Sequence, residues 1–327
     1  MKLLTQSYLI FIPFVIVFFG KVNFIDSSQI YNFSIAQIFV SSLSSIFLFR
    51  FPDEIKKKVG FEILIIISIL LVVLYLLNVS MNLNYIDLIL IILLLLLKDV
   101  SKVATFSTIM NFKLFFLCSL FLVFILFNSN FYIPLAFFPL CLILLFQDFK
   151  FIKFSTSFYK LKIKYLIEDL PIHGIMFILT VQSYDVLTDN EYVTLRFIIA
   201  LCSFSGLIQY ILFYIATRGL NFHIFSSNNK LLLSIIPFII TIGLYCLGLN
   251  LDVIIVITTL ISGFYYFIIK SIFKIKYLLI SNIFPLIVFF IYSSIFLVNI
   301  NTYYFLILIS SLIPILFFIY ESYREKI

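Results

Sequence analysis

The sequence contains little charge, little glycine and no paired cysteines, and each shortage excludes a class of protein. Of the 327 residues only 11% are charged and 8 are Gly. There is no Gly-rich phosphate loop, nucleophile elbow or HExxH motif, so we predict no catalytic residue, no metal site and no cofactor. The cysteines stand singly within apolar stretches, which predicts packing rather than disulfides: Cys118, Cys141, Cys202 and Cys246.

Apolar residues make up most of the sequence. Hydrophobic residues are 64% of the chain, 43 residues are Phe and the mean hydropathy is +1.22. A soluble domain of this length has too little interior to bury so much apolar surface. Apolar stretches of about 18 residues or more cross a bilayer as helices. The sequence therefore predicts an all-α, polytopic integral membrane protein.

Twelve membrane-spanning segments can be placed along the chain. They are Leu3–Gly20, Tyr31–Phe49, Phe61–Ser80, Tyr85–Val103, Phe112–Phe127, Phe131–Phe146, Leu170–Leu187, Leu195–Thr217, Leu231–Leu249, Asp252–Ile269, Tyr277–Val298 and Tyr303–Tyr320.

The positive charges give these segments an orientation. When the connecting loops are assigned alternately to two sides, all but two of the 22 Lys and Arg residues fall on one side, and Lys21 and Arg196 are the exceptions. Loops rich in Lys and Arg face the cytoplasm, so both termini are predicted to be cytoplasmic. The net charge of +7 is accounted for by these loops, and nothing in the sequence favours nucleic acid as a partner.

The longest loop, residues 147–169, divides the chain into two sets of segments. We predict a six-helix bundle over residues 1–146, a basic cytoplasmic linker and a second six-helix bundle over residues 170–327, a plan common among transporters. The linker mixes Lys with Phe, Tyr and Ile, which suits an anionic membrane surface. It is either a solvated linker or a site for lipid headgroups, so membrane lipids are predicted partners.

Polar residues inside the segments are the candidates for function, because they are costly in lipid. In the second segment Ser34, Gln37, Ser41 and Ser45 share one helical face. That face either packs closely against another helix or lines a hydrophilic lumen.

The eighth segment carries Arg196 near its outer end and Gln209 farther along. An Arg fork at a membrane mouth suits a phosphate group. The alternative is an ion pair with Asp185, Asp189 or Glu191, which lie near the same level.

Three further ionisable residues lie in the predicted segments. His173 and Asp185 are candidates for proton or sodium coupling, and the alternative places both at the membrane interface. Lys98 either extends its chain to the inner interface or offers positive charge to a cavity that holds an anionic headgroup.

The topology and two stretches of sequence resemble a known family. QIYNFSIAQIFVSSLSSIFLFRFPDEIKKK, Gln29–Lys58, and VQSYDVLTDNEYVTLRF, Val181–Phe197, are similar to parts of the polysaccharide (O-antigen-type) flippases of the multidrug/oligosaccharidyl-lipid/polysaccharide exporter superfamily.

This resemblance implies export of an undecaprenyl-diphosphate-linked oligosaccharide, a repeat unit of O-antigen or capsule, across the bacterial inner membrane. Lipid-linked oligosaccharide and other polysaccharide-assembly proteins are then the expected partners. The serines and Gln37 of the second segment would line a cleft between the bundles. Arg196, Gln209 and Lys98 would meet the phosphates.

Two other classes of function stay open. A major-facilitator or other secondary transporter shares the plan of two six-helix halves, although RFPDEIKKK replaces the Gly-rich loop of that family after the second segment. An integral-membrane glycan polymerase would carry Arg and His in a large outer loop, and the outer loops here hold almost none.

Overall fold

The computed structural model describes residues 14, 17–22, 26–28, 30–31, 34–35, 38, 170–206, 208, 230–272 and 275–324. These residues form helices joined by short turns, and no strand occurs among them. An all-α fold is therefore confirmed for the described part of the chain.

The helices follow the apolar segments predicted for the second half. They are α1 (170–177), a π-helical turn (Ile178–Gln182), α2 (Ser183–Val186), α3 (Asp189–Cys202), α4 (Lys230–Cys246), α5 (Leu251–Ile272), α6 (Ile275–Ile295) and α7 (Ile300–Arg324). Most of the predicted first set of segments lies outside the described residues. The number twelve and the cytoplasmic termini stay predictions.

A glycine turn ends α4. Gly248 has φ 69°, in the left-handed region that residues with a Cβ avoid, and its N–H donates to the carbonyl of Tyr245 at 3.0 Å. The chain reverses there and α5 begins at Leu251. This short connection agrees with the short loop predicted between the ninth and tenth segments.

The chain divides into two compact units. The first comprises Met1–Ile16 and Ile25–His173, and the second comprises Val17–Phe24 and Gly174–Ile327. The predicted division into residues 1–146, 147–169 and 170–327 stays a prediction.

Within the second unit, α7 is the central helix. It packs against α3, α4, α5 and α6, and α5 also contacts α3 and α4. The core brings Leu195 of α3, Ile255 of α5 and Tyr303 of α7 together, all fully buried. Burial of these large side chains fixes α3, and with it the residues of the site below, against α7.

Helix α6 carries its polar and apolar residues on the faces opposite to those expected in water. Ser281 and Asn282 are buried, whereas large apolar side chains are exposed at a helical spacing of four, three and four: Ile280, Phe284, Ile287 and Ile291. In α4 the exposed face likewise presents Ile235, Ile239 and Ile242. An exposed face of this kind favours contact with hydrocarbon rather than with water.

Hydroxyl groups and a glycine join the helices at their buried faces. Thr241 of α4 and Thr258 of α5 form a hydroxyl pair at 2.8 Å, and Thr259 of α5 pairs with Ser311 of α7 at 3.1 Å. Gly263 of α5 lies so close to the residues after α3 that a Cβ on it would be 2.6 Å from Cβ of Ser205. Small residues and interhelical hydroxyl bonds of this kind are typical of helices packed in membranes.

One helical stretch among the described residues, Ile300–Phe317 of α7, is long and apolar enough to cross a membrane. Shorter apolar stretches lie in the three preceding helices: Ile235–Cys246, Leu251–Phe264 and Leu279–Ile295.

Candidate functional site

The site begins with the residues that start α3. Thr188 precedes the helix, and both its N–H and its hydroxyl donate to Oε2 of Glu191, at 3.1 and 2.8 Å. The bond from the N–H of Thr188, together with a bond from the N–H of Glu191 to the hydroxyl oxygen of Thr188, forms a capping box, so α3 begins at Asp189 rather than at the predicted Leu195. The two bonds from Thr188 hold the carboxylate of Glu191 at the helix start. They also stabilise the charged carboxylate and lower the pKa of Glu191 below its ordinary value.

Arg196 lies two turns into α3 and points into the unit. Its side chain is 3% exposed, although an arginine remains charged at any ordinary pH. One terminal nitrogen, Nη1, donates to the hydroxyl of Thr180 at 2.8 Å. Thr180, in the π-helical turn, is itself fully buried. The structure therefore encloses a full positive charge between α3 and the turn before it.

One hydrogen-bond donor of the Arg196 guanidinium, Nε, is not used by any described residue. Among the described residues Nε of Arg196 has no hydrogen-bond partner, and no carboxylate forms an ion pair with this residue. In the described part of the chain Arg196 bonds to Thr180 and does not form the predicted alternative, a pair with Asp185, Asp189 or Glu191. Glu191 instead accepts from Thr188. A buried cation without an anion is costly by several kcal/mol, and an anionic ligand would relieve that cost.

The other cation of the predicted outer side has different surroundings. Lys21 is exposed, and its Nζ donates to the hydroxyl of Thr194 in a very short contact. Phe18, one turn earlier, lies with its ring centroid 6.5 Å from that of Phe197. Residues 17–22 are therefore attached to α3 close to Arg196.

Of the predicted serine face, the structure describes Ser34. It is fully buried, and its hydroxyl donates to the carbonyl of Ile30 at 2.7 Å, within its own helix. The donor is used there, and the oxygen keeps acceptor capacity. Several predicted cleft residues lie outside the described residues: Gln37, Ser41, Ser45, Lys98 and Gln209.

The two predicted coupling residues belong to different units. His173 is half-buried at the end of the first unit, and Asp185 is exposed in α2 of the second. Exposure of Asp185 agrees with the interfacial alternative, and a coupling role stays a prediction. No cluster of potential metal ligands occurs in the part of the chain that is described.

Sequence reasoning missed Thr180 and Ser183. Both are fully buried, and Ser183 donates to the carbonyl of Leu179 at 2.8 Å. A signal was available, because Thr180, Gln182 and Ser183 form a polar cluster within an apolar segment. The contact between Thr180 and Arg196 of α3, which the structure shows, is what assigns this cluster to the site.

Comparison of the chain with protein-family models, with curated proteins and with solved structures gives no match. The role of the site therefore has to be inferred from its own chemistry.

Proposed function

We propose that the chain is a multi-pass protein of the bacterial inner membrane that moves an undecaprenyl-diphosphate-linked oligosaccharide from the inner to the outer leaflet. The buried cation of Arg196, which holds an unused donor and no carboxylate partner among the described residues, is the observation that carries this proposal.

The membrane part of the proposal is supported by helix length and by the exposed faces. Helices α5, α6 and α7 have 22, 21 and 25 residues. At a rise of about 1.5 Å per residue they are about 31 to 37 Å long, which matches a hydrocarbon core of about 30 Å. The exposed Ile and Phe side chains of α4 and α6 would contact lipid, and the buried Ser281 and Asn282 of α6 would contact other helices.

Interior prolines fit the same environment. Pro237, Pro285 and Pro314 lie inside α4, α6 and α7. A proline removes one helical hydrogen bond, and membrane helices accept this because neighbouring hydroxyls satisfy the freed groups. Such helices bend, which suits a protein whose bundles move against each other.

The substrate part of the proposal follows from charge. A diphosphate cannot cross hydrocarbon unaided, and a buried guanidinium whose Nε–H has no partner among the described residues would offer a charge-assisted hydrogen bond to its oxygens. Arg196 is seven residues into α3, about 10 Å from the helix start on the predicted outer side. It would hold the phosphates near the outer exit, while the lipid tail stays in the bilayer and alternating access exposes the cleft.

The test is a deletion strain examined for lipid-linked repeat units, whose leaflet is determined by their accessibility to an enzyme added outside. We expect unpolymerised units to accumulate on the inner leaflet, and the wild-type chain to restore export. Units that reach the outside unpolymerised would contradict translocation and favour a glycan polymerase. Unchanged export in the deletion strain would contradict both.

A further inference from the structure

The turn before α3 changes its hydrogen-bond register by one residue. The N–H of Ser183 donates to the carbonyl of Ile178, five residues back, whereas the N–H of Leu187 donates to the carbonyl of Ser183, four residues back. Between these two bonds lie three amides, of residues 184–186, but four carbonyls, of residues 179–182. One carbonyl in the turn therefore has no main-chain amide.

The side chain of Ser183 fills this gap. Its hydroxyl oxygen lies 2.8 Å from the carbonyl oxygen of Leu179 and 3.4 Å from that of Thr180. Because Ser183 is fully buried, water is not available to take over this role. A buried carbonyl left without a donor is costly, and the hydroxyl of Ser183 offsets that cost in the π-helical register.

The register decides where Thr180 points. Removal of the extra residue would rotate one side of the helix by about 100° relative to the other. Thr180 lies within the turn, and its hydroxyl reaches Nη1 of Arg196 at 2.8 Å. In this register one end of the guanidinium is anchored, and Nε is not engaged by any described residue.

We propose that the π-helical turn is a positioning element with Ser183 as its lock, which holds Thr180 against Arg196 and leaves Nε for the anionic group of the ligand. The inference rests on the proposed function for the identity of that anion. The positioning itself concerns residues within the second unit and can be measured without ligand.

The experiment follows the Nε–H signal of Arg196 by NMR of full-length protein in detergent, labelled with ¹⁵N-arginine. Arg50, Arg218 and Arg324 are the other arginines, and loss of one signal in Arg196→Met assigns the resonance. The variants are Ser183→Ala, which removes the lock, Thr180→Val, which removes the acceptor, and Thr180→Ser, which restores it. Ser310→Ala is the matched control, because Ser310 makes a similar bond to the carbonyl of Ile307, at 2.8 Å, within the regular helix α7.

We expect Ser183→Ala and Thr180→Val to move the Arg196 signal in ligand-free protein, and Thr180→Ser and Ser310→Ala to leave it in place. In a titration with inorganic diphosphate, the first two variants should bind about tenfold more weakly than wild type, the factor for one net hydrogen bond. Thermal unfolding measured in parallel shows that each variant is folded.

An Arg196 signal that is unchanged in Ser183→Ala, or that moves equally in Ser310→Ala, would overturn the positioning role. If the Arg196 signal of the wild type does not change when diphosphate is added, the proposed binding of phosphate by Arg196 is wrong. The ligand-free spectra still decide the role of the turn.

Discussion

The two cations predicted on the outer side, Lys21 and Arg196, both donate to a threonine hydroxyl, but their surroundings are opposite. Lys21 is exposed and reaches Thr194 from solvent, whereas Arg196 is buried and reaches Thr180 in the interior. The charge of Lys21 is exposed and screened by solvent, and water can replace Thr194 as its hydrogen-bond partner. The contact therefore contributes little to stability. The buried charge has no such screening, and none of the described carboxylates pairs with it, so an anion would stabilise it. A contact between a cation and a threonine hydroxyl is thus an attachment at Lys21 and part of a candidate binding site at Arg196.

The largest expected effect comes from removing each charge in turn. Arg196→Met keeps most of the side-chain volume, and we expect it to reduce complementation of the deletion strain at least about 100-fold, since a buried charge contact is worth about 3 kcal/mol. Lys21→Met, the matched control, should lose less than about fivefold. The amount of lipid-linked repeat unit on the outer leaflet measures both.

Stability separates this role from a structural one. Replacement of a buried charge by an apolar side chain of similar size is often neutral or stabilising. We therefore expect Arg196→Met to unfold at the wild-type temperature or above. Equal losses of export in Lys21→Met and Arg196→Met, or a strongly destabilised Arg196→Met, would break the comparison.

A smaller effect, on stability, is expected at the contact between α5 and the residues that follow α3. Helix α3 carries Thr194 and Arg196, and this contact holds it in place. A Cβ at Gly263 would lie 2.6 Å from Cβ of Ser205, so Gly263→Ala should push α5 away from the residues after α3. We expect a loss of about 1 to 3 kcal/mol, the usual cost of overpacking.

Gly243→Ala in α4 is the control for this substitution, because nothing lies within 4 Å of its added Cβ. It should leave stability unchanged or raise it by up to about 1 kcal/mol. Denaturant unfolding in detergent compares the two variants. Equal stability would show that the close approach at Gly263 is not needed to hold α3.

The smallest effect concerns the cap of α3, which sets the level of Thr194 and Arg196. Hydrogen bonds from Thr188 lower the pKa of Glu191, so the charged carboxylate stabilises the folded state. This contribution is present above the unfolded pKa of about 4.3 and is lost as the pH falls through the lower folded pKa. The unfolding temperatures of wild type and Glu191→Gln should therefore converge on acidification. A difference that grows toward low pH would contradict the cap.

The helical class and the approximate positions of the later helices follow from the length of the apolar stretches. The prediction starts α3 too late, because residues 188–191 are polar and hydropathy does not mark them as helical; the capping box of Thr188 and Glu191 starts the helix at Asp189. A cap satisfies backbone donors, which hydropathy does not register.

The candidate site was predictable in part. The sequence singles out Arg196 because it lies in an apolar segment and is one of two cations on the predicted outer side; its burial is a finding of the structure. Its partner was not found, because Coulomb attraction favours carboxylates and Thr180 carries no charge. The π-helical turn is not predictable from the sequence either, since a one-residue change of register leaves no trace in composition or hydropathy.

The side of the membrane on which α3 begins is the claim that everything else depends on. It can be measured in a chain whose four cysteines are replaced, with a single cysteine introduced by Asn190→Cys, beside the cap of α3, or by Lys164→Cys, in the basic linker. A membrane-impermeant maleimide should label the first in intact cells and the second only after permeabilisation. The reverse order of labelling, or labelling of both in intact cells, would contradict the account.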